Sequence, residues 1–205
     1  MKNPINFKQP LLNKNNITGV ILAGGRATRM GGQDKGLIQF NGKCLVEHIV
    51  ALLRPQVGKL IISANRNQAR YAELCSCPVL ADNFGDYAGP LAGIATTLAY
   101  AQSDYVLFVP CDSPRLNPQL AERLYTFMLQ VNADISVAND GKRIHPVFSV
   151  WKRRLLADLL IFLEVGNRSV HRFFTRHSLA LTDFSDATFL NINTFEEHTA
   201  LNIET

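Results

Sequence analysis

From Ile17 almost to the carboxyl terminus, short apolar runs alternate with longer stretches in which apolar side chains recur every three or four positions. The strand-like runs are Ile17–Ala23, Lys59–Ala64, Pro78–Ala81, Tyr105–Val109, Asp134–Ala138, Pro146–Val150 and Phe189–Ile192. Most are β-branched and continuously apolar, which is how strands covered on both faces read. Between them, Leu45, Ile49, Leu52 and Leu53 share one helical face, and Leu91, Ile94, Thr97 and Leu98 another. Further helices are predicted over Asn117–Gln130, Lys152–Glu164 and Arg168–Arg176, with Gly166 dividing the last two. A closing helix is predicted from Thr194, which with Glu197 fits a capping box. The pattern predicts a three-layer α/β/α fold with a mostly parallel central sheet, in which ligands bind at the carboxyl ends of the strands.

No repeat and no low-complexity linker divides the chain, so its 205 residues predict a single domain over residues 17–205. Residues 1–16 are polar, rich in Asn and Lys, and lack the apolar centre of a secretion signal; they read as a frayed extension. The longest nearly apolar stretch, Leu155–Leu163, is interrupted by Asp158 and is about half of what a membrane span needs. A cytoplasmic protein with no membrane partner is expected. Cys44, Cys75, Cys77 and Cys111 form neither a paired Cys-x-x-Cys nor a pattern with nearby histidines, which argues against zinc and against a disulfide framework.

The net charge of +4 invites a polyanion, but its distribution narrows the choice. Residues 1–16 carry +3, residues 26–43 carry +3 and residues 140–176 carry +5, which leaves −7 on everything else. Basic residues are not interleaved with aromatics on one face, apart from His171-Arg172-Phe173-Phe174, whose phenylalanines read as core. No nucleic-acid partner is expected.

The first strand runs into Leu22-Ala23-Gly24-Gly25-Arg26-Ala27-Thr28-Arg29-Met30-Gly31-Gly32-Gln33-Asp34-Lys35, with four glycines and three cations. Glycines let backbone N–H groups approach an anion, and Arg29 and Lys35 can neutralise phosphate oxygens, so the segment reads as a phosphate cradle. It matches neither Gly-x-x-x-x-Gly-Lys-Ser/Thr nor Gly-x-Gly-x-x-Gly. Asp112 follows the run Tyr105–Val109, where it can reach the same cleft. Asn65 and Asp82 end two other strands, and an amide and a carboxylate there suit a nucleoside's N–H and hydroxyl groups. Gly89-Pro90-Leu91-Ala92-Gly93 opens a helix with residues small enough for close backbone approach. Asp140–Pro146 reads as a hairpin turn with basic residues at its mouth.

Leu-Ala-Gly-Gly-x-x-x-Arg-Met-Gly-x-x-Asp-Lys resembles the signature loop of nucleotidyltransferases, specifically of the molybdenum cofactor guanylyltransferases. The resemblance extends in order through Ser63-Ala64-Asn65-Arg66, Gly89–Gly93, Pro110-Cys111-Asp112-Ser113-Pro114, His145-Pro146 and Asn191-Ile192-Asn193-Thr194, and covers residues 17 to about 200. It implies a Rossmann-like nucleotidyltransferase fold and transfer of GMP from GTP to the terminal phosphate of molybdopterin, with release of pyrophosphate. It further implies that Arg29, Lys35 and Asp112 carry the chemistry and that Asp112 holds Mg2+. Leu22, Ala23, Gly24, Gly25, Lys35, Asn65, Asp82, Gly89 and Asp112 would bind GTP, and Arg143, His145, Arg168, Asn191 and Asn193 the pterin. Where some members carry Asn, this chain has Ser63.

A monomer is expected, with other proteins of molybdenum cofactor synthesis and the acceptor molybdoenzymes or their chaperones as partners. A cytidylyltransferase would share the first loop, and a nucleotide-binding chaperone would share the fold without transfer. The set Arg29, Lys35 and Asp112 argues for chemistry over binding alone.

Overall fold

The computed structural model of the chain describes residues 12–24, 33–82, 89–187 and 189. Nine strands are present among them: β1 (Ile17–Leu22), β2 (Gln39–Phe40), β3 (Lys43–Cys44), β4 (Lys59–Ser63), β5 (Val79–Leu80), β6 (Tyr105–Pro110), β7 (Ile135–Asn139), β8 (Ile144–Lys152) and β9 (Leu179–Asp183). The helices are α1 (Leu45–Leu53), α2 (Gln68–Cys75), α3 (Pro90–Tyr100), α4 (Leu120–Gln130), α5 (Leu156–Glu164) and α6 (Val170–Phe174).

Seven strands form one sheet in the order β5-β4-β1-β6-β8-β7-β9. Only β8 runs against its neighbours, pairing antiparallel with both β6 and β7. The mostly parallel sheet follows the expectation, and so does its layering. Ile17, Ile21, Leu60, Ile62, Leu107 and Val109 face a core shared with α1, α2 and α4. The alternate residues Val20, Ile61, Val106, Phe108 and Trp151 face a second core with α3, α5 and α6. Trp151 is fully buried and stacked on Phe173 at 5.2 Å between centroids, so the phenylalanines beside His171 and Arg172 are core.

The seventh strand differs from the reading. Phe189–Ile192 lies outside the described residues except for Phe189, and the strand that completes the sheet is β9, parallel to β7. Its sequence, Leu-Ala-Leu-Thr-Asp, alternates because β9 is an edge strand: Ala180 and Thr182 are buried and Leu181 is exposed. The closing helix predicted from Thr194 also lies outside the described residues.

Local sequence explains the connections that place the site. Asn41 and Gly42 both have positive φ and join β2 to β3 as a two-residue turn, the chemistry that Asn-Gly supplies. Gly166, at φ 84°, ends α5 where Gly was expected to stop it. In β8, Val137 faces Ser149 while Ala138 faces His145, so Pro146, Val147 and Phe148 bulge out of the ladder. Pro146 brings no N–H to that ladder, and the Ser149 hydroxyl donates to its carbonyl at 2.8 Å.

Of the polar extension, residues 12–16 are described, and Lys14–Asn16 form a 3-10 turn capped by the Asn13 side chain. Gly58 packs beneath it, so closely that a Cβ at Gly58 would stand 2.7 Å from Asn15 Cα and 2.8 Å from the Lys14 carbonyl oxygen. Gly58→Ala is expected to destabilise the protein by about 1–3 kcal/mol, because backbone rather than a side-chain tip must yield. Urea denaturation checks this, and an unchanged midpoint would mean that the turn is not held there.

Candidate active site

The carboxyl ends of β1, β4, β5 and β6 lie at one edge of the sheet and are stitched together by backbone hydrogen bonds. Ala23 N donates to Ser63 O at 2.8 Å, Cys111 N to Leu22 O at 3.1 Å, and Ala64 N to Leu80 O at 2.8 Å. Leu22, Ala23 and Gly24 therefore emerge between Asn65 and Asp82 on one side and Asp112 on the other.

Asn65 and Asp82 are partners across that edge. Asn65 Nδ2 donates to Asp82 Oδ2 at 2.9 Å, and Asp82 N donates to Asn65 Oδ1 at 2.8 Å. Asp82 Oδ1 is buried with no hydrogen-bond partner among the described residues. A Cβ at Gly24 would lie 3.8 Å from Asn65 Nδ2, and one at Gly93 would lie 2.6 Å from Ser63 Oγ and 3.3 Å from Asp82 Oδ1. Glycine at position 93 lets the start of α3 pack closely against Ser63 and Asp82, and Gly24 leaves room beside Asn65. Ser63 is buried. Gly89, at φ 117°, precedes Pro90 at the start of α3.

Asp112, 8% exposed just past β6, accepts from Lys35 Nζ at 3.0 Å through Oδ2. Its Oδ1 is buried and has no hydrogen-bond partner among the described residues. Leaving a charged acceptor unmatched costs roughly 1–3 kcal/mol or more, which fits an atom kept for a cation or a ligand's donor. Lys35 opens the 3-10 turn Lys35–Leu37. Asp34 precedes it and accepts from Asn67 Nδ2 at 3.0 Å and from the hydroxyl of Tyr71, which is fully buried on α2. Burial first, then the neighbouring Cys111 and Asp34, holds the Tyr71 hydroxyl far above the ordinary phenol range, so it is the donor. Tyr71 and Asn67 escape notice in the sequence, where α2 is not predicted, and Asp34 stands out only as part of the signature loop.

On the other side of Asp112 stands the β7–β8 hairpin. Asp140 accepts from Lys142 N at 2.9 Å, from Arg143 N at 2.8 Å and from His145 Nε2 at 2.8 Å. His145 is buried, tilted against Phe189 at 4.4 Å and edge-on to Phe148 at 6.0 Å. Arg143 is exposed at the hairpin's mouth.

The remaining cations of residues 140–176 are dispersed. Lys152 and Arg154 pair with Asp134, and Arg176 lies over the Phe162 ring at 5.6 Å. Arg168 Nη1 donates to Leu163 O in the last turn of α5 at 3.0 Å and to Asn167 O, in the loop that follows, at 2.8 Å. Leu163 and Val170 around it belong to the α3 side of the sheet, whereas Phe148 beneath His145 belongs to the α1 side, so the structure does not place Arg168 with His145 on one face. Gly25, Arg29, Asn191 and Asn193 lie outside the described residues.

A groove of about 510 Å3 opens at the opposite edge, lined by Thr18, Arg54, Lys59, Cys77, Tyr100 and Gln102 among others. It sits at the amino ends of β1 and β4, away from the edge where parallel sheets bind ligands, and Arg54 and Lys59 are engaged there by Cys75 O and Gln102 Oε1. Cys44, Cys75, Cys77 and Cys111 are free thiols, and burial pushes Cys75 up to about 12. No helix among the described residues is long and apolar enough to cross a membrane.

Residues 19–180 match the MobA-like NTP transferase domain. The molybdenum cofactor guanylyltransferase of Vibrio cholerae is 45% identical over 190 residues, 92% of each chain. That of Shewanella sp. (strain MR-4) is 43% identical over 190 residues, 92% of this chain and 96% of the relative. The chain belongs to the molybdenum cofactor guanylyltransferases. Among solved structures, the molybdopterin-guanine dinucleotide biosynthesis protein A of Archaeoglobus fulgidus superposes with a TM-score of 0.76 at 18% identity, covering 91% of this chain and 97% of that one, and shares the fold. As a guanylyltransferase family member the protein is a nucleotidyltransferase.

The hairpin makes a prediction about acid. Hydrogen bonds from Arg143 N, then from His145 and Lys142 N, hold the Asp140 carboxyl well below the usual carboxylate range. A group lowered in the folded state contributes stability above its unfolded value, near 4, and loses it as pH falls through the lowered one. Asp140→Asn is expected to lower the melting temperature at neutral pH, with the difference from wild type shrinking as pH drops from about 4 towards 2. Thermal melts across that range check it; a constant difference would contradict the assignment.

Proposed function

We propose that the edge bounded by Gly24, Asn65, Asp82, Lys35 and Asp112 binds GTP and that the His145 hairpin receives the terminal phosphate of molybdopterin. The observation that carries this reading is Asp112: a buried carboxylate just past the end of β6, with one oxygen on Lys35 and the other without a partner among the described residues.

Asp82, oriented by Asn65, accepts the N–H groups of guanine or the hydroxyls of ribose. Backbone N–H groups of Ala23 to Gly25 cradle the phosphates, with Leu22 and Gly89 at the margins of the same cleft. Arg29 and Lys35 neutralise charge that builds on the triphosphate as the bond to pyrophosphate breaks. The free oxygen of Asp112 suits a hard divalent cation, and Mg2+ held there with substrate phosphates would supply further charge neutralisation. Arg143, His145, Arg168, Asn191 and Asn193 are the residues we assign to the pterin.

The terminal phosphate of molybdopterin attacks the α-phosphorus of GTP, a new P–O–P linkage forms, and pyrophosphate leaves. A phosphomonoester with its second pKa near 6 is already largely ionised at pH 7, so no general base is needed. The protein's task is to position two anions and neutralise them. A product soluble enough to pass to acceptor molybdoenzymes or their chaperones leaves from the same edge.

The direct test incubates the protein with each nucleoside triphosphate in turn, magnesium and molybdopterin. Dinucleotide and pyrophosphate are expected with GTP; formation with CTP instead would make the protein a cytidylyltransferase, and none with any nucleotide would make it a binding protein. Two variants test the roles. Asp112→Asn is expected to abolish turnover while leaving the fold intact, with a native circular dichroism spectrum as the check; retained activity would contradict its role. Lys35→Ala is expected to lower kcat by more than it raises the dissociation constant for GTP, and a pure affinity defect would contradict its role.

A further inference from the structure

We propose that Tyr71, Asn67 and Asp34 form a tether that fixes Lys35 over Asp112, making Tyr71 and Asn67 positioning residues for nucleotidyl transfer that act through Lys35; the inference rests on the role proposed for Lys35.

Two caps that are not used as caps point to it. Asp34 occupies the N-cap of the turn that begins with Lys35, and Asn67 occupies the N-cap of α2, yet neither side chain bonds its own helix. Asp and Asn at such positions ordinarily accept from the second or third N–H of the helix they precede, worth about 1 kcal/mol each. Here the Asn67 amide instead donates to the Asp34 carboxylate at 3.0 Å, and Tyr71, one turn further along α2, donates to the other carboxylate oxygen. Asn67 sits at φ 51° and ψ 29°, the left-handed region, which turns it from the end of β4 towards Asp34. Both Asp34 oxygens are thereby tied to α2, and the residue that follows is Lys35.

Gly36 is the complementary part. A Cβ there would stand 2.4 Å from the Tyr71 hydroxyl oxygen and 3.0 Å from Cε1 of its ring. The turn rests directly on Tyr71, and only glycine lets it do so. Leu37 N donates to Asp34 O at 3.0 Å and Ile38 N to Lys35 O at 3.2 Å, so the turn moves as a unit with Asp34. The sequence Asp34-Lys35-Gly36 thus divides its work: the first residue ties the turn to α2, the second reaches the cleft and the third permits the approach.

The tether has a second end. Residues 65–67 lead from the Asn65–Asp82 pair to the Asn67–Asp34 bond, so one three-residue link carries both the pair proposed to meet the nucleoside and the support of Lys35. A lysine has four rotatable bonds, and charge stabilisation of a transition state depends on where that charge is held beforehand. Loss of the tether is expected to slow transfer without preventing nucleotide binding.

Tyr71→Phe removes the hydroxyl and keeps the ring in the core. In single-turnover assays it is expected to lower the transfer rate by about tenfold while the dissociation constant for GTP, by calorimetry, changes by less than about threefold. In a double-mutant cycle, Tyr71→Phe added to Lys35→Ala should lower the residual rate no further, because the hydroxyl acts through Lys35. A merely structural role would give the same loss in both backgrounds. Should Tyr71→Phe fold poorly, Asn67→Gly removes the amide while keeping the left-handed backbone, and the same pattern is expected. An unchanged rate in these variants, or an equal loss with and without Lys35, would overturn the tether. Full turnover in Lys35→Ala would instead overturn the role of Lys35 on which the tether rests.

Discussion

The ion pair between Lys35 and Asp112, 3.0 Å long across the end of β6, is the contact on which the site depends. Its partners are 77 residues apart in the chain and meet because β1 and β6 pair in parallel and end together. The side chains are only 23% and 12% exposed, so each charge needs the other while no ligand is bound. One oxygen of Asp112 remains unmatched even so. In the proposed function, Lys35 would exchange Asp112 for a phosphate when the triphosphate arrives.

The sheet order gives that exchange a direction. With β5 and β4 on one side of β1 and β6, and β8 and β7 on the other, the Asn65–Asp82 pair and the Asp140–His145 hairpin flank Asp112 from opposite sides. Antiparallel β8 is what makes this possible: its amino-terminal end, rather than its carboxyl end, lies at the functional edge, bringing His145 there on a bulged strand. Two substrates approaching from the two sides would meet over one carboxylate. The net charge of the chain says little about this; the local arrangement of a few cations says most of it, and between residues 140 and 176 Lys152 and Arg154 pair with Asp134 while Arg176 lies over Phe162.

The layering was legible because buried parallel strands have a continuous apolar signal, and the strand ends at Leu22, Ser63 and Pro110 placed most candidate residues on one edge. The edge strand β9 was not, since its outward Leu181 and inward Thr182 blur both the apolar run and the alternation. Asn65, Asp82, Lys35 and Asp112 could each be singled out by type and position, but that they bond in pairs is a fact of register that spacing does not encode. Tyr71 was hidden for a different reason: α2 was not among the predicted helices, and nothing in the sequence distinguishes a tyrosine hydroxyl that holds Asp34 from one that merely fills space.

The measurement that bears most directly on the central claim is a crystal structure of the protein with a non-hydrolysable GTP analogue. The account predicts Lys35 Nζ turned from Asp112 to a phosphate oxygen, with guanine or ribose donors on Asp82. A nucleotide bound elsewhere, for instance in the groove between Arg54 and Lys59, with Lys35 still on Asp112, would contradict it.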